Sequence, residues 1–372
     1  MASHDPEYSE YIAAEDSTSS GADDSDYASG SEDSTQSLLS NDITHTRKGH
    51  TLCLMMRHDP LTIYSPTKSV NCMITVFGNC PLLRDHRLNK TGMAGTSPSS
   101  MSKGESPELR ILDMTHHLYL LMTGGSLFAA PLDEKNPPQR ILDIGTGTGI
   151  WAVDIAEQFP SAEVIATDLS PIQPNWVPPN LRFEIDDAQD DWTWGDETFD
   201  YIHVRGLLGS IKDWDRLLRQ AFTHLKPGGW LEAVEHDYVI RSDDGTYPED
   251  CAIRRWFDLM NEAADKAGRT LSKIESINDS FRTVGFENVA ETRHKVPWGT
   301  WPKERKKKEL GAWILMITES GFESFGMALM TRTLGMTPSD VSVLCEKAFA
   351  ELKSKKFHIY NYHHFLIGQK PL

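Results

Sequence analysis

The chain has 372 residues, 39% of them hydrophobic, and a formal net charge of -17, which suits one large α/β domain with extensions or two domains. Eleven Asp and Glu and no Lys or Arg fall in residues 1–46, leaving about -6 for everything after them; so neutral a remainder excludes broad electrostatic attraction to nucleic acid or to an anionic membrane. The five cysteines, Cys53, Cys72, Cys80, Cys251 and Cys345, show no CxxC spacing, so neither a disulfide framework nor a metal site is indicated.

The N-terminus has no basic and apolar leader, and apolar runs such as Trp313 to Ile317 are too short to span a bilayer. The expected compartment is intracellular, cytoplasm or nucleus. Residues 1–46 are Ser, Asp, Glu, Gly and Thr with scattered Tyr. They cannot bury enough apolar area to offset the entropy of ordering, and a disordered tail is expected. Residues 47–105 mix apolar scraps, three cysteines, Pro and Gly without helix or strand period, and no fold is expected there. Residues 106–372 form the expected folded domain, with a helical insertion at about 303–353.

Order begins with a helix over Leu109 to Thr123, with Leu112, His116, Tyr119 and Leu120 at helical spacing and Gly124 and Gly125 closing it. His116 and His117 are adjacent, so a helix points them about 100° apart and they cannot chelate one metal together. Next comes RILDIGTGTG, Arg140 to Gly149. Ile141, Leu142 and Ile144 read as a buried strand. Gly145, Gly147 and Gly149 permit a tight turn with positive φ and close approach of a ligand to the backbone. A helix with Ala152, Ile155, Ala156 and Phe159 on one face follows, closed by Pro160. Strand, glycine loop and helix make a nucleotide-type crevice, with free N–H groups and the positive end of a helix dipole facing the ligand.

Further strands are expected at EVIATD ending in Asp168, at Leu181 to Ile185 before Asp186 and Asp187, and at Phe199 to Val204. A helix from Asp213 to Leu225 carries one apolar stripe, with Asp213 as N-cap, and LKPGGWLEAVE gives helix stop, turn and fifth strand. Four strand-to-helix alternations imply a mostly parallel sheet with helices on both faces. Helices are then expected at Asp250 to Ala267, Ile274 to Val284, Glu304 to Gly321 and Pro338 to Lys353, with strands at Glu287 to Val296 and His358 to Gly368.

A dinucleotide fingerprint needs a third glycine at position 150, which is Ile150. That departure disfavours an NAD-linked oxidoreductase. The spacing DxGxGxG instead resembles motif I of class I S-adenosylmethionine (SAM) methyltransferases. Downstream, DLSPIQPNW, RFEIDDAQDDWTW, FDYIHVRGLLGSIKDWDRLLRQAFTHLKPGGW, SDDGT, KVPWGTWPK and the closing IGQKP resemble the fungal LaeA-like methyltransferases, a class I family associated with control of secondary metabolism. The resemblance spans roughly Glu108 to Pro371. It implies a Rossmann-like α/β fold, a seven-stranded mostly parallel sheet whose last strand is antiparallel, and SAM as cofactor.

The cofactor positions it implies are Asp143, Gly145, Thr146, Gly147, Gly149, Asp168, Leu169, Asp187 and Ala188, with His203 or Arg205 at the end of the fourth strand. Asp143 would lie near the methionine ammonium, Asp168 would hold the ribose hydroxyls, and Asp187 would accept from the adenine amino group. Catalysis requires no invariant triad, because the sulfonium already activates the methyl. Candidates for a general base are His203, Glu235, His236 and Tyr238, for each of which a structural role is the competing expectation. Strand four lacks the Asn or Asp-Pro-Pro-aromatic signature of many enzymes that methylate bases or amide nitrogens. The basic run Lys303 to Lys308 reads as a solvated helix face rather than a nuclear localisation signal. The acceptor stays open between a small secondary metabolite and a protein side chain, and the rival expectation is a non-catalytic regulator that keeps the fold, with or without the cofactor, and acts through protein partners.

Overall fold

The computed structural model describes residues 107–132, 135–271 and 274–372; the acidic tail and the irregular segment expected before residue 106 lie outside these. The order is α1 (Pro107–Thr123), β1 (Arg140–Ile144), α2 (Ile150–Gln158), β2 (Glu163–Asp168), β3 (Leu181–Ile185), β4 (Phe199–Arg205), α3 (Trp214–His224) and β5 (Leu225–His236). There follow β6 (Arg241–Ser242), α4 (Ala252–Lys266), α5 (Ile274–Val284), β7 (Glu287–Trp298), α6 (Arg305–Leu334), α7 (Pro338–Lys353) and β8 (Ile359–Gln369).

One sheet holds them in the order β3-β2-β1-β4-β5-β8, with β7 on the far side of β8. Strands β1 to β5 are mutually parallel, and β8 runs antiparallel to both β5 and β7. Seven long strands with an antiparallel last one thus match the expected Rossmann-like class I architecture. The two-residue β6 adds an eighth, pairing with the start of β8. Chain order reverses direction across β1, whose neighbours are β2 and β4. A ligand crevice forms at such a switch point, beyond the carboxyl ends of the strands.

Two expectations need correction. Among the described residues only the β1–β2 and β4–β5 connections of the parallel half carry a helix. Residues 169–180 and 186–198 cross over as loops; Pro171, Pro174, Pro178 and Pro179 in the first remove the N–H groups a helix would need. The second concerns α6, which does not stop at Gly321 but runs on to Leu334 and a left-handed Gly335. Its internal glycines serve packing: a Cβ on Gly326 would lie 3.0 Å from Nε1 of Trp256.

The core follows from the two periods. On one sheet face Ile141, Val164, Ala166 and Tyr201 pack against Trp151, Ala152, Ile155 and Ala156 of α2. Helix α3 turns Trp214, Leu217, Leu218 and Ala221 inward, with Asp213 accepting from the Arg216 N–H as the expected cap. Helix α1 buries Ile111, His116, Leu118, Tyr119 and Met122, among them His116 and Tyr119 of the expected stripe, while Leu112 and Leu120 are half-buried; α1 packs against both α6 and α2.

Candidate active site

The glycine loop is held by its own backbone and by one acid. The Thr146 N–H donates to the Thr167 carbonyl at 2.9 Å, and that of Gly149 to the Thr146 carbonyl at 3.0 Å. Asp168, at the end of β2, accepts from the Gly147 N–H at 2.8 Å and from the Ser170 N–H at 2.9 Å. Gly149 caps α2 with φ +80°, and a Cβ there would stand 2.4 Å from the ring of Phe183. Only glycine tolerates both constraints.

Beneath the loop, Asp143 and His203 face each other across β1 and β4. The His203 Nδ1 and Asp143 Oδ1 are 2.7 Å apart, and Trp151 stacks on the imidazole at 3.7 Å. Both residues are almost wholly buried, and burial lowers the His203 pKa against the opposing pull of Asp143. The second carboxylate oxygen of Asp143 is buried without a hydrogen-bond partner, as is the Thr146 hydroxyl. Nearby, the Arg205 guanidinium hydrogen-bonds His116 at 3.2 Å and lies over the Tyr119 ring, while His116 reaches Asp154 at 2.9 Å. Burial lowers the pKa of Arg205 and that of His116. The neighbouring His117 packs its ring on Trp313.

A cavity of about 140 Å³ opens above the strand ends and is lined mostly by apolar side chains. One end meets Gly145, Thr146, Gly147, Asp168 and Arg205. The other is walled by Trp256 and Phe257 of α4, Trp298 of β7, and Phe322 and Phe325 of α6. His236, Tyr238, Tyr119 and His363 also line it. His236 and His363 are direct cross-strand neighbours of β5 and β8, with ring centroids 5.3 Å apart. Burial lowers the pKa of His236 to about 4 and holds that of His363 well below the ordinary imidazole value, so both are unprotonated at neutral pH.

Of the expected site residues, then, the cavity gathers Gly145, Thr146, Gly147, Asp168, Arg205, His236 and Tyr238. Asp143 and His203 lie behind the lining, and Gly149, Leu169, Asp187 and Ala188 lie outside it. Asp187 accepts from the Gln189 N–H, and the Ala188 carbonyl accepts from the indole of Trp192. Glu235 is also outside. Side chains alternate along a strand, so Glu235 and His236 project from opposite faces of β5. Its two oxygens accept the N–H groups of Leu207 and Leu208 at 2.7 and 3.0 Å, and burial pushes its pKa up to about 8. Both oxygens being occupied in this way, Glu235 serves the turn after β4.

His363, Tyr119 as a cavity group, and the aromatic wall were not marked by the sequence. The wall comes from three separated elements, and no local pattern joins them. His363 carried one usable signal, the alternation in YNYHHF, which places it on a single face of the last strand.

Comparison with known proteins follows the same outline. A family model described as a methyltransferase domain matches residues 114–291. The chain is 41% identical over 279 residues to methyltransferase pytC of Aspergillus terreus, covering 75% of this chain and 84% of that one. It is 36% identical over 271 residues to the secondary metabolism regulator LAE1 of Cochliobolus heterostrophus, covering 72% and 88%. The chain belongs to the fungal LaeA-like methyltransferase family. Among solved structures, this LaeA-like chain is similar to the Haemonchus contortus phosphoethanolamine N-methyltransferase 2 in complex with SAM, at 20% identity and a TM-score of 0.40, over 71% of this chain and 52% of that one. No helix among the described residues is long and apolar enough to cross a membrane, and no cluster of three metal-ligating side chains occurs among them.

Proposed function

We propose that this LaeA-like protein holds SAM along the glycine loop and transfers its methyl group to a small molecule enclosed in the aromatic cavity, in the setting of fungal secondary metabolism. The observation that carries the reading is the continuity of one cavity from Gly145, Thr146, Gly147 and Asp168 to the wall of Trp256, Trp298 and Phe322. An enclosed apolar chamber favours a small acceptor over the side chain of a folded protein.

The residues present fit SAM. The unpaired Asp143 oxygen and Thr146 hydroxyl are buried acceptors that the methionine ammonium would satisfy. Arg205, with one hydrogen bond to His116, would meet the methionine carboxylate. Asp168, at the end of β2 and in the cavity lining, would take the ribose hydroxyls, and Asp187, with Ala188 beside it, would receive the adenine amino group. When bound, SAM supplies a methyl group activated by its sulfonium. The chain contributes orientation and dryness: the apolar wall excludes water, and the loop fixes the line of attack.

Calorimetry on the full chain with SAM and S-adenosylhomocysteine tests this, with heat expected for both. In Gly147→Trp, where a Cβ already comes within 3.2 Å of Leu112 and φ is +60°, that heat should vanish. No heat from either ligand with the unaltered chain would overturn the proposal.

A further inference from the structure

The cavity has a wall that needs nothing from water and a part that does. Trp256, Phe257, Trp298, Phe322 and Phe325 present ring carbon, and Trp256 meets Phe322 edge to face at 4.8 Å. Elsewhere in the lining the groups are polar. The His363 Nδ1 is buried with no hydrogen-bond partner. Among the described residues, the ring nitrogens of His236 and the hydroxyls of Tyr119 and Tyr238 have none either, and what faces them is rings: Tyr238 at 4.8 Å and His363 at 5.3 Å from His236, Tyr119 at 5.5 Å from His363. A dry, unpaired polar group such as the His363 Nδ1 destabilises a fold unless a ligand completes it, and the half-buried His236 and the two tyrosine hydroxyls open onto the same cavity.

The chemistry of those groups selects the ligand. A carboxylate could accept from these neutral rings and hydroxyls but would bring a charge into an apolar chamber whose one Arg or Lys, Arg205, is given to the methionine carboxylate. An ammonium would need a carboxylate beside it; Asp168, the carboxylate in the lining, is bonded to the glycine loop, and Glu235 to the Leu207 and Leu208 amides on the other sheet face. A neutral hydroxyl donates to imidazole and accepts from a tyrosine, and the aromatic wall suits a flat apolar body.

Resting on the methyltransferase reading above, we propose that the acceptor is a planar, largely apolar molecule with a phenolic or enolic hydroxyl, and that His236, supported by His363, receives that hydroxyl and takes its proton. The acceptor O–H bond breaks as the proton passes to a ring nitrogen of His236. The oxygen electron pair forms the bond to the methyl carbon, and the S–CH3 bond breaks with its pair returning to sulfur, leaving the neutral thioether S-adenosylhomocysteine. The positive charge lost by the sulfonium reappears on the imidazolium, which releases its proton to solvent after the methyl ether leaves. Besides Tyr119 from α1 and Tyr238 after β5, the charged or titratable groups that bear on the pair are Asp237 beside it on the chain, His364 of β8 and His294 of β7.

The test uses the full chain saturated with S-adenosylhomocysteine and two probes, 4-nitrophenol and its methyl ether 4-nitroanisole. Calorimetry should find the phenol bound at least about tenfold more tightly than the ether, and the discrimination should fall to within about threefold in H236F/H363F with S-adenosylhomocysteine affinity unchanged. Discrimination should also fade as the pH is lowered towards 4, where His236 gains its own proton. Equal or tighter binding of the ether by the unaltered chain overturns the inference whether or not the variant folds. So does a discrimination that survives loss of both histidines. If S-adenosylhomocysteine itself gives no heat, the methyltransferase reading fails and this inference with it; if it binds and the phenol is not preferred, only this inference fails.

Discussion

Strand β5 and the residues just after it carry two kinds of polar side chain. Glu232 and Glu235 are fully covered and bonded to backbone: one oxygen of Glu232 accepts the N–H groups of Ala129 and Ala130 at 2.8 Å and the Tyr201 hydroxyl at 3.0 Å while its other oxygen is unpaired, and Glu235 accepts from Leu207 and Leu208 through both of its oxygens. His236 and Tyr238 look into the cavity with no partner. Burial raises the pKa of Glu232 to about 7 and that of Glu235 to about 8, and burial lowers that of His236. A strongly shifted pKa therefore does not mark the working site by itself. Whether the shifted group is already bonded to its own backbone does.

The largest test of that contrast is Glu235→Leu against His363→Phe. The first strands two buried N–H groups and should lower unfolding stability by about 3 kcal/mol. The second removes a polar atom that has no partner, so urea unfolding should place it within about 1 kcal/mol of the unaltered chain, or above it. Equal losses for the two would erase the contrast.

Asp168 belongs to both classes, since it is bonded to backbone and also lines the cavity. Asp168→Asn keeps one acceptor oxygen but cannot receive both N–H groups. SAM affinity measured by calorimetry should fall ten- to hundredfold, about 1.4 to 2.8 kcal/mol, with a smaller change in unfolding stability. An unchanged affinity would reassign Asp168 to the scaffold alone.

The smallest effect is a pH slope. Glu232 and Glu235 bind a proton more tightly folded than unfolded, so their protonated forms favour the fold, and that stability is lost as pH rises from about 4.5 to about 8. The lowered histidines act in reverse, gaining stability with rising pH, but that gain ends near their ordinary value of 6.5. Between pH 6.5 and 8 the carboxyls prevail. The midpoint of thermal unfolding should decline across that window, and Glu235→Gln should flatten the decline.

By itself the sequence determined the strand, glycine loop and helix of Arg140 to Gln158, the acid at Asp168, the cap at Asp213 and the order of nearly every later element. These depend on short-range requirements: a glycine where φ is positive, an apolar period, a capping oxygen three residues before an N–H. Alternation in LEAVEH even contained the separation of Glu235 from His236. What it did not contain was which face of β5 met the cavity. That was decided by the register of His236 on His363, a contact across the sheet between residues far apart in the chain, and by the turn after β4 that took up Glu235. The chamber has the same origin. Aromatic residues of α4, β7 and α6 become one wall only when the antiparallel end of the sheet carries those helices over the strand ends, and packing between distant segments leaves no spacing in the sequence to read.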